Sequence, residues 1–253
     1  MHVGLKMSYV RQSMNGVFYK HLYDKYIRFE PYAFNKSGKG KEWNAAKHPI
    51  MIDKFNFGED LGILDKKGNI FSVGETGART PYQSILIEQQ SDIFFPTEAE
   101  IEETINYSAH FVSAYLYNGE YELVQSSVSE TLFMSRGISQ EILDTLKHVP
   151  YQLGILDYKN YDIRFNPGRM ILMGHSWQMA AWKMWFGEPF FKLVPKEKLL
   201  AFPHAVEVKE LPAGQVYVHL FDKVEESHTP ESRFRQWEWQ KWLDFDKLQE
   251  LYP

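Results

Sequence analysis

Gly174-His175-Ser176-Trp177-Gln178 is the stretch where side chains able to do chemistry fall closest to a catalytic spacing. A serine hydrolase of the α/β type carries its nucleophile on a tight strand-to-helix turn. Small flanking residues, usually G-x-S-x-G, permit that strained backbone. Here Met170–Met173 offers a strand, Gly174 the first glycine and Ser176 the hydroxyl. Gln178 stands where the second glycine belongs, and Trp177 follows the serine, where a backbone N–H would help form the oxyanion hole. Downstream, Asp222 and His228 are the one acid-then-histidine pair in a sensible arrangement, and they lie six residues apart. No Gly-rich oxyanion loop precedes them. A serine hydrolase or esterase using Ser176 in a degenerate elbow is therefore the alternative function. The plainer expectation is that the apolar run 169–187 is the centre of the core, with His175, Ser176 and Gln178 as its polar break.

Other chemistries leave weaker marks. The nine histidines show no H-x-x-x-H or H-E-x-x-H spacing, and there is no cysteine, so no metal site and no thiolate chemistry is expected. Gly38-Lys39-Gly40-Lys41 lacks the phosphate-loop frame G-x-x-x-x-G-K-[ST]; its surroundings, Asn35–Ala46, read as a solvated loop, and no cofactor is expected.

Carboxylates are abundant, but segregated. Residues 1–79 hold 13 Lys and Arg against 8 Asp and Glu; residues 80–135 hold nine acids and no base; residues 136–253 hold 15 bases and 16 acids. Glu98, Glu100, Glu102, Glu103, Glu120 and Glu122 lie in the acidic middle. One account of them is a solvated, well-capped helix start. The sharper one is a docking face for a basic protein, where complementary potential speeds encounter. A net charge of −5 argues against binding nucleic acid by its phosphates. Among the tryptophans, Trp239 falls off the face of Trp237 and is the candidate exposed contact anchor.

The elements that must position these residues point to an α+β fold, mainly antiparallel sheet packed with a few helices. One domain over 1–253 is expected, with a subdivision conceivable near Pro150. Aromatic residues are 16% of the chain, well above what a disordered chain carries. Val17–Tyr19 and Tyr26–Phe29 have strand composition. Leu61–Leu64 and Ile70–Val73 flank the turn Asp65–Asn69 as a hairpin, and Ser84–Ile87 adds a strand. Thr97 with Glu100 forms a capping box that opens a helix whose apolar positions run through Ile101, Ile105, Phe111, Val112, Tyr115 and Leu116 to Asn118-Gly119. Tyr121–Gln125 and Val128–Met134 read as strands. Ser139 caps a short helix to Leu146, which Pro150 stops, and 151–167 reads as irregular. Gln215–Phe221 is the clearest strand, and helices open at Pro195 and at Thr229-Pro230. On the last long helix Phe234, Trp237 and Trp242 are expected to reach the core. A further turn runs from Asp244 to Leu251. MHVGLKMSYVRQSMNG has no apolar signal core, and no window suits a membrane helix, so a cytoplasmic protein is expected.

The last third has a recognisable layout. An apolar-aromatic stretch around Trp182–Gly187 leads to Phe190–Pro203, then a glycine turn and strand, Gly214–Phe221, an Asp-containing connection, 222–230, and the helix RFRQWEWQKWLDFDKLQE. Over residues 180–253 this order resembles the C-terminal part of bacterial immunity proteins that neutralise polymorphic or type VI secreted toxins. The resemblance implies a cytoplasmic, non-enzymatic inhibitor whose partner is a cognate toxin with a basic surface, met by an acidic face. It assigns no residue by motif.

Overall fold

The computed structural model describes the chain except for residues 12, 37, 56–59, 76–81, 136, 139, 145, 154–155, 174–175 and 252–253. Gly174, His175 and the helix cap at Ser139 thus lie outside the described residues. The elements in order are β1 (His2–Val10), α1 (Gly16–Tyr26), β2 (Ala33–Lys36), β3 (Lys39–Glu42), α2 (His48–Ile52), β4 (Leu61–Leu64), β5 (Ile70–Glu75), β6 (Tyr82–Gln90), α3 (Glu98–Ile105), β7 (Phe111–Asn118), α4 (Gly119–Ser126), α5 (Glu130–Ser135), α6 (Gln140–Leu143), β8 (His148–Leu153), β9 (Leu156–Tyr161), β10 (Ile171–Met173), β11 (Ser176–Gln178), β12 (Lys183–Phe186), α7 (Lys196–Leu200), β13 (Glu207–Glu210), β14 (Val216–His219), α8 (Pro230–Leu243) and α9 (Phe245–Leu251).

An antiparallel ten-stranded sheet in the order β13-β14-β12-β7-β1-β6-β5-β4-β2-β3 dominates the molecule, which is α+β. It draws strands from both sides of Pro150. β1 lies at its centre because HVGLKMSYV alternates cleanly: Val3, Leu5, Met7 and Tyr9 are buried on one face, while Gly4, Lys6 and Ser8 point to the other. The first face is covered by α1 and α3. The Phe18 ring meets Tyr9 edge-on at 5.3 Å, and the Tyr26 hydroxyl donates to the Glu100 carbonyl at 2.9 Å. The second face, over β7 and β12, is covered by the β10–β11 hairpin and α8. There the Tyr115 hydroxyl donates to Gln178 Oε1 at 2.9 Å, and Phe186 packs on Trp239. A satellite cluster of Val124, Phe133, Leu143, Leu146 and Tyr161 sits apart from the main core.

Several expectations hold. β4 and β5 pair as the hairpin, its turn closed by Asp65 Oδ1 accepting from the N–H groups of Lys67 and Asn69, with Gly68 at φ +86°. Thr97 caps α3 with both capping-box bonds, and Thr229 caps α8 with Pro230 in the first turn. Thr97→Ala should lower stability by about 1 kcal/mol, read from a denaturation midpoint.

Others are corrected. The helix opened at Thr97 stops at Ile105, and Phe111–Asn118 is the strand β7, buried along its whole length. Both its faces are covered, so its apolar run carries no period-2 signal and imitates a helix. Neither Val17–Tyr19 nor Tyr26–Phe29 is a strand: Asn15 caps α1, its side chain accepting from the Phe18 N–H, Phe18, Tyr19, Leu22 and Tyr26 line one helical face, and the chain beyond Tyr26 is irregular. Tyr121–Gln125 lies in the helix α4, capped by Asn118, and α5 replaces the strand over Val128–Met134. Asn35–Ala46 holds the end of β2 and all of β3, which pair as a hairpin; Pro150 lies within β8, and β8 pairs with β9 across much of the stretch read as irregular.

Candidate partner-binding surface

The acidic segment folds so that its charges are answered by distant lysines. Glu98 pairs with Lys183 of β12 at 2.6 Å, and Glu103 pairs with Lys25 of α1 at 2.8 Å. Lys183 holds the Glu98 carboxyl below its ordinary pKa against the opposing effect of burial; hydrogen bonding from Lys25 does the same for Glu103. Glu100 is held down mainly by the Thr97 backbone N–H, donated at 2.8 Å in the capping box. Glu102 lies partly buried on the same helix. Glu120 and Glu122 are elsewhere. Glu120 pairs with the Met1 amino group at 3.4 Å. Glu122 is half-buried on α4, near enough to Lys6 of β1 for their charges to interact. The six glutamates therefore do not form one surface.

Lys6 and Glu122, both half-buried, influence each other by charge without an ion pair between them among the described contacts. Lys6 Nζ lies 3.0 Å from Met170 Sδ and 4.1 Å over the Trp177 ring. Burial pulls its pKa down to about 8, with the Glu122 charge opposing. Burial raises the Glu122 pKa, opposed by a hydrogen bond with Ser126 and by the charge of Lys6.

Ser176 does not sit on a nucleophile elbow. β10 and β11 pair antiparallel, Met173 opposite Ser176, so the serine lies on a hairpin strand, and no helix follows it before β12. Its side chain is fully buried, and its Oγ has no hydrogen-bond partner among the described residues. The geometry of an activated nucleophile, a hydroxyl bonded to a base and open to substrate, is not what these atoms form.

On α8 the structure exchanges inside and outside. Trp239, expected to be exposed, is 0% exposed: its ring stacks on Phe186 at 5.8 Å and meets Phe202 edge-on at 5.0 Å. The buried face is Ser232, Gln236, Trp239, Gln240 and Leu243. Two of those positions are glutamines, so the apolar pattern hides the true face. Gln236 Oε1 accepts from the Tyr121 hydroxyl at 3.0 Å, and Gln240 Nε2 donates to the Pro167 carbonyl at 2.6 Å. Phe234 and Trp242, expected inside, are 53% and 36% exposed.

No family model, no curated protein and no solved structure matches this chain.

The outward rings of Phe234, His204 and Trp242 are gathered around the buried ring of Phe202. His204 packs edge-on against Phe234 at 5.8 Å, Phe202 meets His204 at 5.9 Å and Trp242 at 6.1 Å, and the exposed Val206 follows on the same loop. Trp242 is anchored by its Nε1–H, which donates to the Lys198 carbonyl at 2.7 Å. His204 also lies 3.9 Å from Glu238, midway between Phe234 and Trp242 on the helix. The periodicity of α8 could have revealed this surface only if the two glutamines had been placed inside. Among the described residues no helix is long and apolar enough to cross a membrane, and no three His, Asp or Glu side chains converge as metal ligands would.

Proposed function

We propose that this chain is a non-enzymatic binding protein that inhibits a protein partner, in the manner of bacterial immunity proteins that neutralise a cognate toxin in the cytoplasm. The observation that carries the proposal is the cluster of exposed rings formed by Phe234 and Trp242 of the capped helix α8 and His204 of the loop after α7, gathered around the buried ring of Phe202. Large, pre-positioned aromatics of this kind anchor protein interfaces, because they bury much apolar area at little entropic cost. The surface lies within residues 180–253, the part whose layout resembles immunity proteins. The carboxylates of α3 act in this proposal as an accessory acidic face toward a basic toxin, tempered by Lys25 and Lys183.

The proposal requires a toxin gene beside this one; co-expression with that toxin should restore growth, and the two proteins should co-elute as a stoichiometric complex. Phe234→Ala with Trp242→Ala should weaken that complex by tenfold or more while shifting the melting temperature only slightly. Unchanged affinity in the double variant would remove this surface from the interface. Failure of the wild type to protect cells would remove the immunity proposal itself. Charge reversal of Glu98, Glu100, Glu102 and Glu103 is a poorer probe, since it also breaks two ion pairs and the capping box.

A further inference from the structure

A cleft of about 620 Å³ opens on the other flank of α8. A volume of this order matches ordinary ligand sites. Its walls are Arg164, Phe165 and Arg169 on one side, and Trp237, Lys241 and the Asp244–Asp246 turn on the other. Asp244 shapes that turn. It is the one non-glycine residue of positive φ among those described (φ 60°, ψ 54°), and its N–H closes the end of α8 on the Gln240 and Lys241 carbonyls. The chain thereby reverses into α9 along the cleft edge.

The cations of the cleft are not equivalent. Arg164 forks onto Asp162, with Nε to Oδ1 at 2.9 Å and Nη2 to Oδ2 at 2.8 Å. Lys241 is held by Glu238 at 2.7 Å. Arg169, partly buried, donates through Nη1 to the Arg164 and Asn166 carbonyls, and no carboxylate lies within ion-pair distance of it among the described residues. Burial pulls its pKa below the ordinary guanidinium value, against the opposing charge of Asp246. A desolvated guanidinium whose described partners are neutral carbonyls is most strongly complemented by a carboxylate, which can take two parallel N–H bonds. Beside it, Phe165 is 52% exposed, although an apolar ring gains nothing from water. Asp244 and Asp246 on the facing rim repel a second negative charge, which selects a single carboxylate over a polyanion.

We propose that this cleft binds a peptide segment of the inhibited partner that carries one carboxylate next to an aromatic side chain, with the carboxylate on Arg169 and the ring between Phe165 and Trp237. This extends the binding-protein proposal, on which it rests for the source of the peptide. The probes are two capped dipeptides, acetyl-Glu-Phe-amide and acetyl-Gln-Phe-amide, titrated into the full chain by ligand-detected NMR. The Glu peptide should bind at least tenfold more tightly than the Gln peptide, a difference of about 1.4 kcal/mol. Arg169→Gln should erase that preference. Phe165→Ala, at a half-exposed site where the fold tolerates it, should weaken the Glu peptide. Equal binding of the two peptides, binding of neither, or an unchanged preference in Arg169→Gln overturns the proposal; if Arg169→Gln fails to fold, unchanged binding by Phe165→Ala overturns it instead. The assay needs no toxin. Peptide discrimination without protection of cells would sink immunity and keep the cleft; protection without discrimination would sink the cleft alone.

Discussion

Replacing Trp239 by alanine should cost about 3–5 kcal/mol of stability, more than any other single change on α8. The indole is fully buried between Phe186 of the central sheet and Phe202 of the loop that follows α7. Its removal would leave a cavity that neither neighbour can fill, since Phe186 is pinned in a strand paired with β7 and β14. Denaturant unfolding should show a lower midpoint with an unchanged slope, because the surface exposed on unfolding hardly changes. In a chain of this length the loss corresponds to a fall of roughly 10 °C in melting temperature. Trp242→Ala is the control. It removes a ring at the surface and one hydrogen bond to Lys198, so it should cost about 1 kcal/mol. If the two alanine variants were equally stable, the inside and outside of α8 would be misassigned.

That contrast also shows where the sequence is legible. Local chemistry reads well. The Asp65–Asn69 turn, the Thr97–Glu100 box and the Thr229-Pro230 start each hold their own backbone through neighbours a few residues away, so their residue types suffice to identify them. Readings that need the rest of the molecule fail. β7 is covered on both faces and loses its alternation. α8 buries Gln236 and Gln240 because Tyr121 and Pro167, more than 70 residues earlier, supply their partners. The nine-acid segment looks like a charged surface along the chain, yet Lys25 and Lys183 come from segments on either side of it to neutralise Glu103 and Glu98. Charge segregated in sequence is mixed again in space. The proposed contact surface shifts accordingly, from Trp239 to Phe234 and Trp242, with the α3 carboxylates kept only as an accessory face. Arg169 opens the very run first considered for catalysis. What marks it is that no carboxylate among the described residues pairs with it, and no local pattern records that.

Lys6 should make the stability of this protein depend on pH in a direction that a surface lysine cannot. Its ordinary pKa, 10.5, applies in the unfolded chain; in the fold it falls to about 8. Below pH 8 the amine is charged in both states, and folding bears the full cost of desolvating it. Between pH 8 and 10.5 the folded state releases the proton first while the unfolded chain retains it. The unfolded state then binds more protons, so stability rises with pH across that window. The rise attributable to Lys6 is up to about 3 kcal/mol. Lys6→Met keeps the contacts with Met170 and Trp177 and removes the titration, so the wild type should gain on the variant steadily from pH 8 to 10.5. Only the difference is diagnostic. Burial raises the pKa values of Tyr115 and Tyr117, so both lose stability as their unfolded forms ionise, and they do so equally in the two proteins. Glu122, with its raised pKa, acts in the opposite sense and at lower pH: its contribution is present in acid and is lost as pH rises through its folded pKa. A gap between wild type and Lys6→Met that stays constant from pH 7.5 to 10.5 would mean that water reaches the amine. A wild-type deficit that shrinks across that range would establish that the centre of the sheet carries an ionisable group at a standing cost. By the mechanism of desolvation, the same variant should then be the more stable of the two at pH 7.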